Sequence, residues 1–261
     1  MRATQVGELL RLTLVTPDTR NAQTPALWRR LAEIGEVLPT GIRIVVIDAE
    51  GPSFSAGLDR RMFTPEGIPG EHTFLDLASA DSKTADQWIS EFQSAFTWQQ
   101  ECAALTIAAV QGHAIGAGFQ LALACDLIIA ADDAKFSMRE VQLGLIPDLG
   151  GSQRLTNLVG SQRALWACGT GAPIDGPTAA QWGLATSCVP VDELAASTQH
   201  LVDELLRAPR NSLRAVKVLI NSATDRSKVD QLQMERSLQL GLLRDLAATL
   251  KPAVEKPTGV A

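Results

Sequence analysis

The chain has 261 residues, 46% hydrophobic and 20% charged, enough to bury a substantial core as one domain or as one domain with a helical appendage. A net charge of −6 and a pI near 5.1 argue against nucleic acid or an anionic membrane as a main partner, so a polyanionic ligand would need local basic residues. No apolar run approaches the roughly eighteen residues of a membrane span, and Arg2 to Glu8 is too polar for a signal peptide; a soluble, cytoplasmic protein is expected.

In chain order, Glu8 to Val15 alternates as a strand and Pro17 to Asn21 is a turn. Thr24 or its predecessor caps a helix from Pro25 to about Leu38, with Leu27, Leu31, Ile34 and Leu38 on one face. A β-branched strand, Ile42 to Ile47, ends in the small-residue turn Asp48 to Asp59. Residues 60–104 specify least; a helix over Thr84 to Cys102 places Trp88, Phe92 and Phe96 at spacings of four, most simply as core.

Thr106 to Ala131 reads as strand, glycine turn (Gly112 to Ile115, then Gly116 to Gly118), short helix and strand. Backbone N–H groups at such a helix start suit a phosphate or a developing oxyanion. The Walker A loop fails for want of a lysine, and the dinucleotide fingerprint fails because Leu121 stands where its third glycine belongs. An oxyanion hole remains, as does plain close packing of helix on strand.

Beyond Leu155 the chain reads as helices: Ser161 to Ala167 closed by Gly169, one capped by Asp175 or Thr178 and ending at Gly183, then Glu193 to Arg207, Ser212 to Ala223 and Val229 to Leu250. The tail from Lys251 is expected to be loosely ordered. Cys102, Cys125, Cys168 and Cys188 lie far apart in apolar segments, which suits reduced core thiols. His72 and His200 have no sequence neighbours that point to metal or catalysis, no metal-ligand spacing occurs, and there is no Gly-x-Ser-x-Gly elbow. The repeated strand-helix-strand pattern with buried strands predicts an α/β domain.

Five segments taken together, TPDTRNA (Thr16 to Ala22), FSAGLD (Phe54 to Asp59), VQGHAIGAGFQLALACD (Val110 to Asp126), EVQLGLIPDLGGSQRL (Glu140 to Leu155) and IDGPTAAQWGLATSCVP (Ile174 to Pro190), resemble the enoyl-CoA hydratase/isomerase (crotonase) superfamily, in the right order over nearly the whole chain. The resemblance implies a crotonase-like spiral of β-β-α units over residues 1–195 and a C-terminal helical oligomerisation region over 196–261, in a homotrimer or a dimer of trimers. It implies an acyl-CoA substrate, with coenzyme A part of that substrate and no separate cofactor. The oxyanion donors it implies are the N–H groups of Ala56 and Ala117; alanine at 117 replaces the commoner glycine and would be strained at positive φ. Arg20, Ala22, Ser55, Gly57, Leu58, Asp59, Arg61, Gly116 and Pro147 fall on its substrate-binding positions, and Arg60 and Arg61 lie where the family often has a lysine that meets the coenzyme phosphates.

For proton transfer, hydratases of this family carry glutamates at the positions of Gln120 and Glu140. Glutamine can hold a water but cannot take its proton, so the two-carboxylate arrangement is incomplete. Glu140 alone suffices for double-bond isomerisation through an enolate. Asp148 stands where the family's dienoyl-CoA isomerases have an acidic residue, although those enzymes have an aspartate at the position of Gln120. Three readings stay open: a hydratase/isomerase using Glu140, a dienoyl-type isomerase using Asp148 as well, and a catalytically weak acyl-CoA binder. On the residues alone, Glu140 reads equally as a surface carboxylate in a strand and Asp148 as a helix cap. His113 is expected to be a buried structural histidine.

Overall fold

The computed structural model describes residues 1–250, so the tail from Lys251 lies outside the described residues. The polar lead-in is not a loop: Arg2–Val6 forms β1, an exposed edge strand antiparallel to β2 (Leu9–Leu14). A polar edge discourages pairing with other chains, so its polarity marked a sheet margin. In α1 (Pro25–Glu36) the Thr24 hydroxyl accepts the Leu27 N–H, Pro25 opens the first turn, and Trp28, Leu31 and Ile34 are buried.

β3 (Ile44–Ala49) follows, then α2 (Phe74–Ser79) and the long α3 (Ser82–Glu101), opened by the Asp81 side chain. The central stretch forms β4 (Leu105–Val110), β5 (His113–Ile115), α4 (Ala117–Ala124) and β6 (Leu127–Ala131). His113 to Ile115 was expected as turn; it is a strand because it pairs with β7 (Lys135–Ser137). Next come α5 (Gly151–Val159), α6 (Ser161–Thr170), β8 (Ile174–Asp175), α7 (Gly176–Trp182), β9 (Ser187–Val189) and α8 (Leu194–Arg207). Helix α6 runs past Gly169 and stops where Gly171 takes the left-handed conformation at φ 63°.

Two sheets result. One has the order β1-β2-β3-β4-β6-β9 and is parallel from β2 onward; the other is β5-β7-β8. Each turn of chain lays one strand in the large sheet, one in the small sheet and then a helix: β4-β5-α4, then β6-β7 and onward to α5. Ser55 continues this pattern with a single bridge to Ala114 after β3. That is the expected spiral of β-β-α units. Ile44, Val45, Val46 and Ile47 of β3 are fully buried, the apolar run of a strand covered on both faces.

The chain divides into two compact units, Met1–Arg207 and the residues from Ala208 onward. The division falls after α8, not at 195, because Thr198 and Val202 of α8 are fully buried and the helix packs on β4 and β6. In the second unit α9 (Arg210–Asn221) and α10 (Lys228–Leu250) pack on each other, with the Asn211 amide donating to Asp245 at 2.6 Å. Leu240, Leu243 and Leu246 of α10 and Val216 and Ile220 of α9 remain exposed.

The aromatic row on α3 divides. Phe96 is buried and Phe92 half-buried, both against Trp28 with ring centroids 5.7 and 5.1 Å away. Trp88 is not core; it is half-buried and stacks on His72 at 4.0 Å, which gives that histidine a partner the sequence did not indicate. Among the described residues no helix is long and apolar enough to cross a membrane, and all four cysteines are free thiols.

Candidate active site

The site grows from the turn after β3. Its N–H groups have these acceptors: Ser55 donates to the His113 carbonyl at 2.8 Å, Ala56 to Arg20 at 2.8 Å, Gly57 to the Ser55 hydroxyl at 3.2 Å and Asp59 to Gln23 at 2.8 Å. Ala56, expected as an oxyanion donor, therefore has its N–H already engaged. Leu58 pairs in parallel with Gln23, whose own bonds go to Gly57 and Asp59, so the Leu58 N–H points away from that pairing. A Cβ placed on Gly57 would lie 3.7 Å from the Ala117 nitrogen, which sets the two donor-bearing segments side by side.

Ala117 is the first residue of α4, where a backbone N–H has no partner within the helix. Positive φ among non-glycine described residues occurs only at Arg20 and Asn21, so Ala117 is unstrained; the sharp turn is taken by Gly116 at φ 52°. A Cβ there would meet the Glu140 carboxylate at 3.4 Å, so glycine also admits that side chain.

Glu140 is neither in a strand nor on the surface. It opens a short 3-10 turn, Glu140–Leu143, and is half-buried. Its Oε1 accepts from the Gln120 amide nitrogen at 2.8 Å, and its Oε2 is buried without a hydrogen-bond partner. Burial pushes its pKa above the ordinary glutamate range; the Asp148 charge adds to this, while its own backbone N–H and the Gln120 amide oppose it. Burial likewise raises Asp148, which is not a helix cap, since Gly150 occupies that position in α5. Both carboxyls are thus raised by burial, and the charge of Asp148 reaches Glu140.

Gln120 is fully enclosed at 1% exposure, and the type of each partner fixes its orientation. Its oxygen accepts from the Leu149 N–H at 2.9 Å and the Gly151 N–H at 3.3 Å, while its nitrogen serves Glu140.

The other expected residues spread around this centre. Ser55 is buried, its hydroxyl donating to the Asn21 carbonyl at 2.8 Å; Gly116, Leu58, Asp59, Ala22 and Pro147 are half-buried and Gly57 is buried. Arg20 and Arg61 are exposed, and Arg61 is held in a two-point pair by Asp59 at 2.8 and 3.1 Å, which keeps the Asp59 carboxyl below its usual range. His113 is exposed on β5, bonded to the Ser53 hydroxyl at 3.1 Å, and is not the buried histidine expected.

Two residues with no expected role hold the turns together. Gln23, with no exposed surface, donates to the Ser55 hydroxyl at 3.2 Å and the Ala117 carbonyl at 3.3 Å and accepts from Trp28 at 2.7 Å. Asn21 donates to the Glu50 and Ser53 carbonyls, both at 2.9 Å. A polar pair between a turn and a helix start was the available signal.

The β-β-α spiral, with its small-residue turns set beside the half-buried Glu140, is the architecture of the crotonase class of acyl-CoA enzymes. The enoyl-CoA hydratase/isomerase family model matches residues 5–247, and the chain belongs to that family. A structure from Thermobifida fusca YX, described as an enoyl-CoA hydratase in complex with CoA, is 44% identical with a TM-score of 0.89, covering 95% of this chain and 94% of that one. A second structure of that protein holds acetoacetyl-CoA, with a TM-score of 0.88 at 44% identity over 93% of this chain and 94% of its own. The 2,3-dehydroadipyl-CoA hydratase of Escherichia coli K12 is 32% identical over 88% of this chain and 85% of its own length. The mitochondrial Delta(3,5)-Delta(2,4)-dienoyl-CoA isomerase of Mus musculus is 34% identical over 59% of this chain and 47% of its own length.

Proposed function

We propose that the chain moves a carbon–carbon double bond within an acyl-CoA thioester. The thioester oxygen sits between the Leu58 and Ala117 N–H groups, which stabilise the enolate that forms when a proton leaves the chain. Oε2 of Glu140 removes the α-proton, and Asp148 returns a proton further along the acyl chain. One proton leaves, one is added and the electron pair moves between carbons, so no cofactor beyond the substrate's own CoA is required. The exposed Arg20, Arg60 and Arg61 meet the CoA phosphates. Such a reaction belongs to fatty-acyl metabolism.

The observation that supports isomerisation is the state of Gln120. Hydration by two carboxylates needs a second acceptor for the water's proton, and here the amide oxygen at that position is already held by two backbone N–H groups. Hydration is the second reading, favoured by relatives named as hydratases.

Incubating the native protein in heavy water with crotonyl-CoA, 3-hexenoyl-CoA and 3,5-octadienoyl-CoA separates the readings. Double-bond migration with deuterium incorporation is expected. A 3-hydroxyacyl-CoA as main product from crotonyl-CoA would establish hydration instead, and tight binding with no exchange would leave an acyl-CoA binder.

The leucines exposed along α10 support assembly with further copies through the second unit, as a trimer or a dimer of trimers. Sedimentation equilibrium tests this: Leu243→Glu is expected to shift the native oligomer toward monomer, and a native monomer would refute the assembly.

A further inference from the structure

The peptide group joining Asp148 to Leu149 is gripped at both ends. Its carbonyl accepts from the Gln93 amide nitrogen at 2.7 Å, and its N–H donates to the Gln120 oxygen at 2.9 Å. The Gln120 nitrogen continues the line to Glu140 at 2.8 Å. Three amides thus run head to tail, Gln93 to the 148–149 peptide to Gln120, and end on a carboxylate oxygen. Each N–H donates in the same sense, so the amide dipoles align and strengthen one another.

Holding both ends of a peptide plane fixes the backbone torsion of the residue before it, and so the direction in which the Asp148 Cα–Cβ bond points. Gln120 belongs to the buried core, whereas Gln93 comes from α3, the helix whose neighbouring Phe92 and Phe96 are packed against Trp28 of α1. Its anchor point is rigid, and its side chain reaches a loop that starts and ends with glycine, Gly144 and Gly150, both at positive φ. Within this loop Leu149 is anchored in the core, and the Gln93 bond adds a hold on the peptide that precedes it.

We infer that Gln93 is a positioning residue that holds the Asp148 carboxyl in register with Glu140. The inference rests on the reading of Asp148 as the second acid/base group. Gln93 itself touches no reacting atom; it acts through the 148–149 peptide. Its partner is a backbone carbonyl, so any long side chain with an N–H donor can serve, and one without cannot.

The experiment follows two steps on one substrate, 3-hexenoyl-CoA in heavy water: exchange of the α-proton, which needs Glu140, and completed migration of the double bond, which needs Asp148 as well. Gln93→Leu is expected to lower migration about five- to tenfold, the loss of one well-made hydrogen bond, with α-exchange changed less than about twofold. Gln93→Lys restores the donor and is expected to recover most of the migration. In an Asp148→Asn background Gln93→Leu should cause no further loss. Equal loss of both steps, failure of the lysine to rescue, or an undiminished effect without Asp148 would each overturn the positioning role while leaving the isomerase reading intact. If Asp148→Asn alone leaves migration unchanged, the second acid/base role falls, and the positioning role with it.

Discussion

Glu140→Gln is expected to lower α-proton exchange from an acyl-CoA about 10³-fold, within the range typical for removing a general acid/base group, with acyl-CoA affinity little changed. The variant keeps the contact with Gln120, since an amide oxygen accepts that hydrogen bond as a carboxylate does, and changes only the capacity to take a proton. The carboxyl's raised pKa also fixes the sign of the pH dependence. The active form is the carboxylate, so exchange by the native protein falls as pH drops through a value above the ordinary glutamate range. Stability moves the other way. A raised folded-state pKa means the folded protein binds the proton more tightly than the unfolded chain, so Glu140 costs stability at neutral pH, and that cost disappears as pH falls below the unfolded pKa. Thermal melts should find Glu140→Gln more stable than the native protein at pH 7, with the gain lost toward pH 4. A variant that is inactive and less stable at pH 7 would contradict the cost assigned to burying this charge.

The sequence displayed the α/β class because its strands are fully buried apolar runs and its turns are rich in small residues, both local signals, whereas the spiral itself was legible only through the resemblance of its five motif segments. It displayed Glu140 and Asp148 only as members of a motif, and their environment could not be read from it. Whether a carboxyl eight residues from another is exposed or enclosed depends on what distant segments bring to it, here Gln120 of α4 beside Glu140 and Gln93 of α3 on the Asp148 carbonyl, which is long-range packing. That the Ala56 N–H is engaged was hidden for a similar reason: which of the consecutive N–H groups in one turn is taken depends on what Arg20 and Gln23 do, and those lie 36 residues before their partners Ala56 and Asp59. Gln93 was invisible, since a glutamine on an amphipathic helix is ordinary and its acceptor is a backbone carbonyl more than fifty residues away. β1 was missed because edge strands can be polar throughout, and periodicity cannot distinguish them from loops.

Asp148→Asn is expected to separate the two halves of the reaction. Asparagine keeps the shape of the side chain and leaves the 148–149 peptide with its partners Gln93 and Gln120, so Glu140 stays in place. Exchange at the α-carbon should persist within about threefold, while migration of the double bond falls about 10²-fold, the lower end of what a proton-transfer group supplies. A second shift accompanies this. The Asp148 charge is one of the causes that raise Glu140, so removing it should let the acidic limb of the exchange profile move to lower pH. Loss of exchange and migration together would mean that Asp148 supports Glu140 and delivers no proton of its own. Full migration in the variant would assign both transfers to Glu140, whose Oε2 would then have to reach two carbons of the acyl chain in turn.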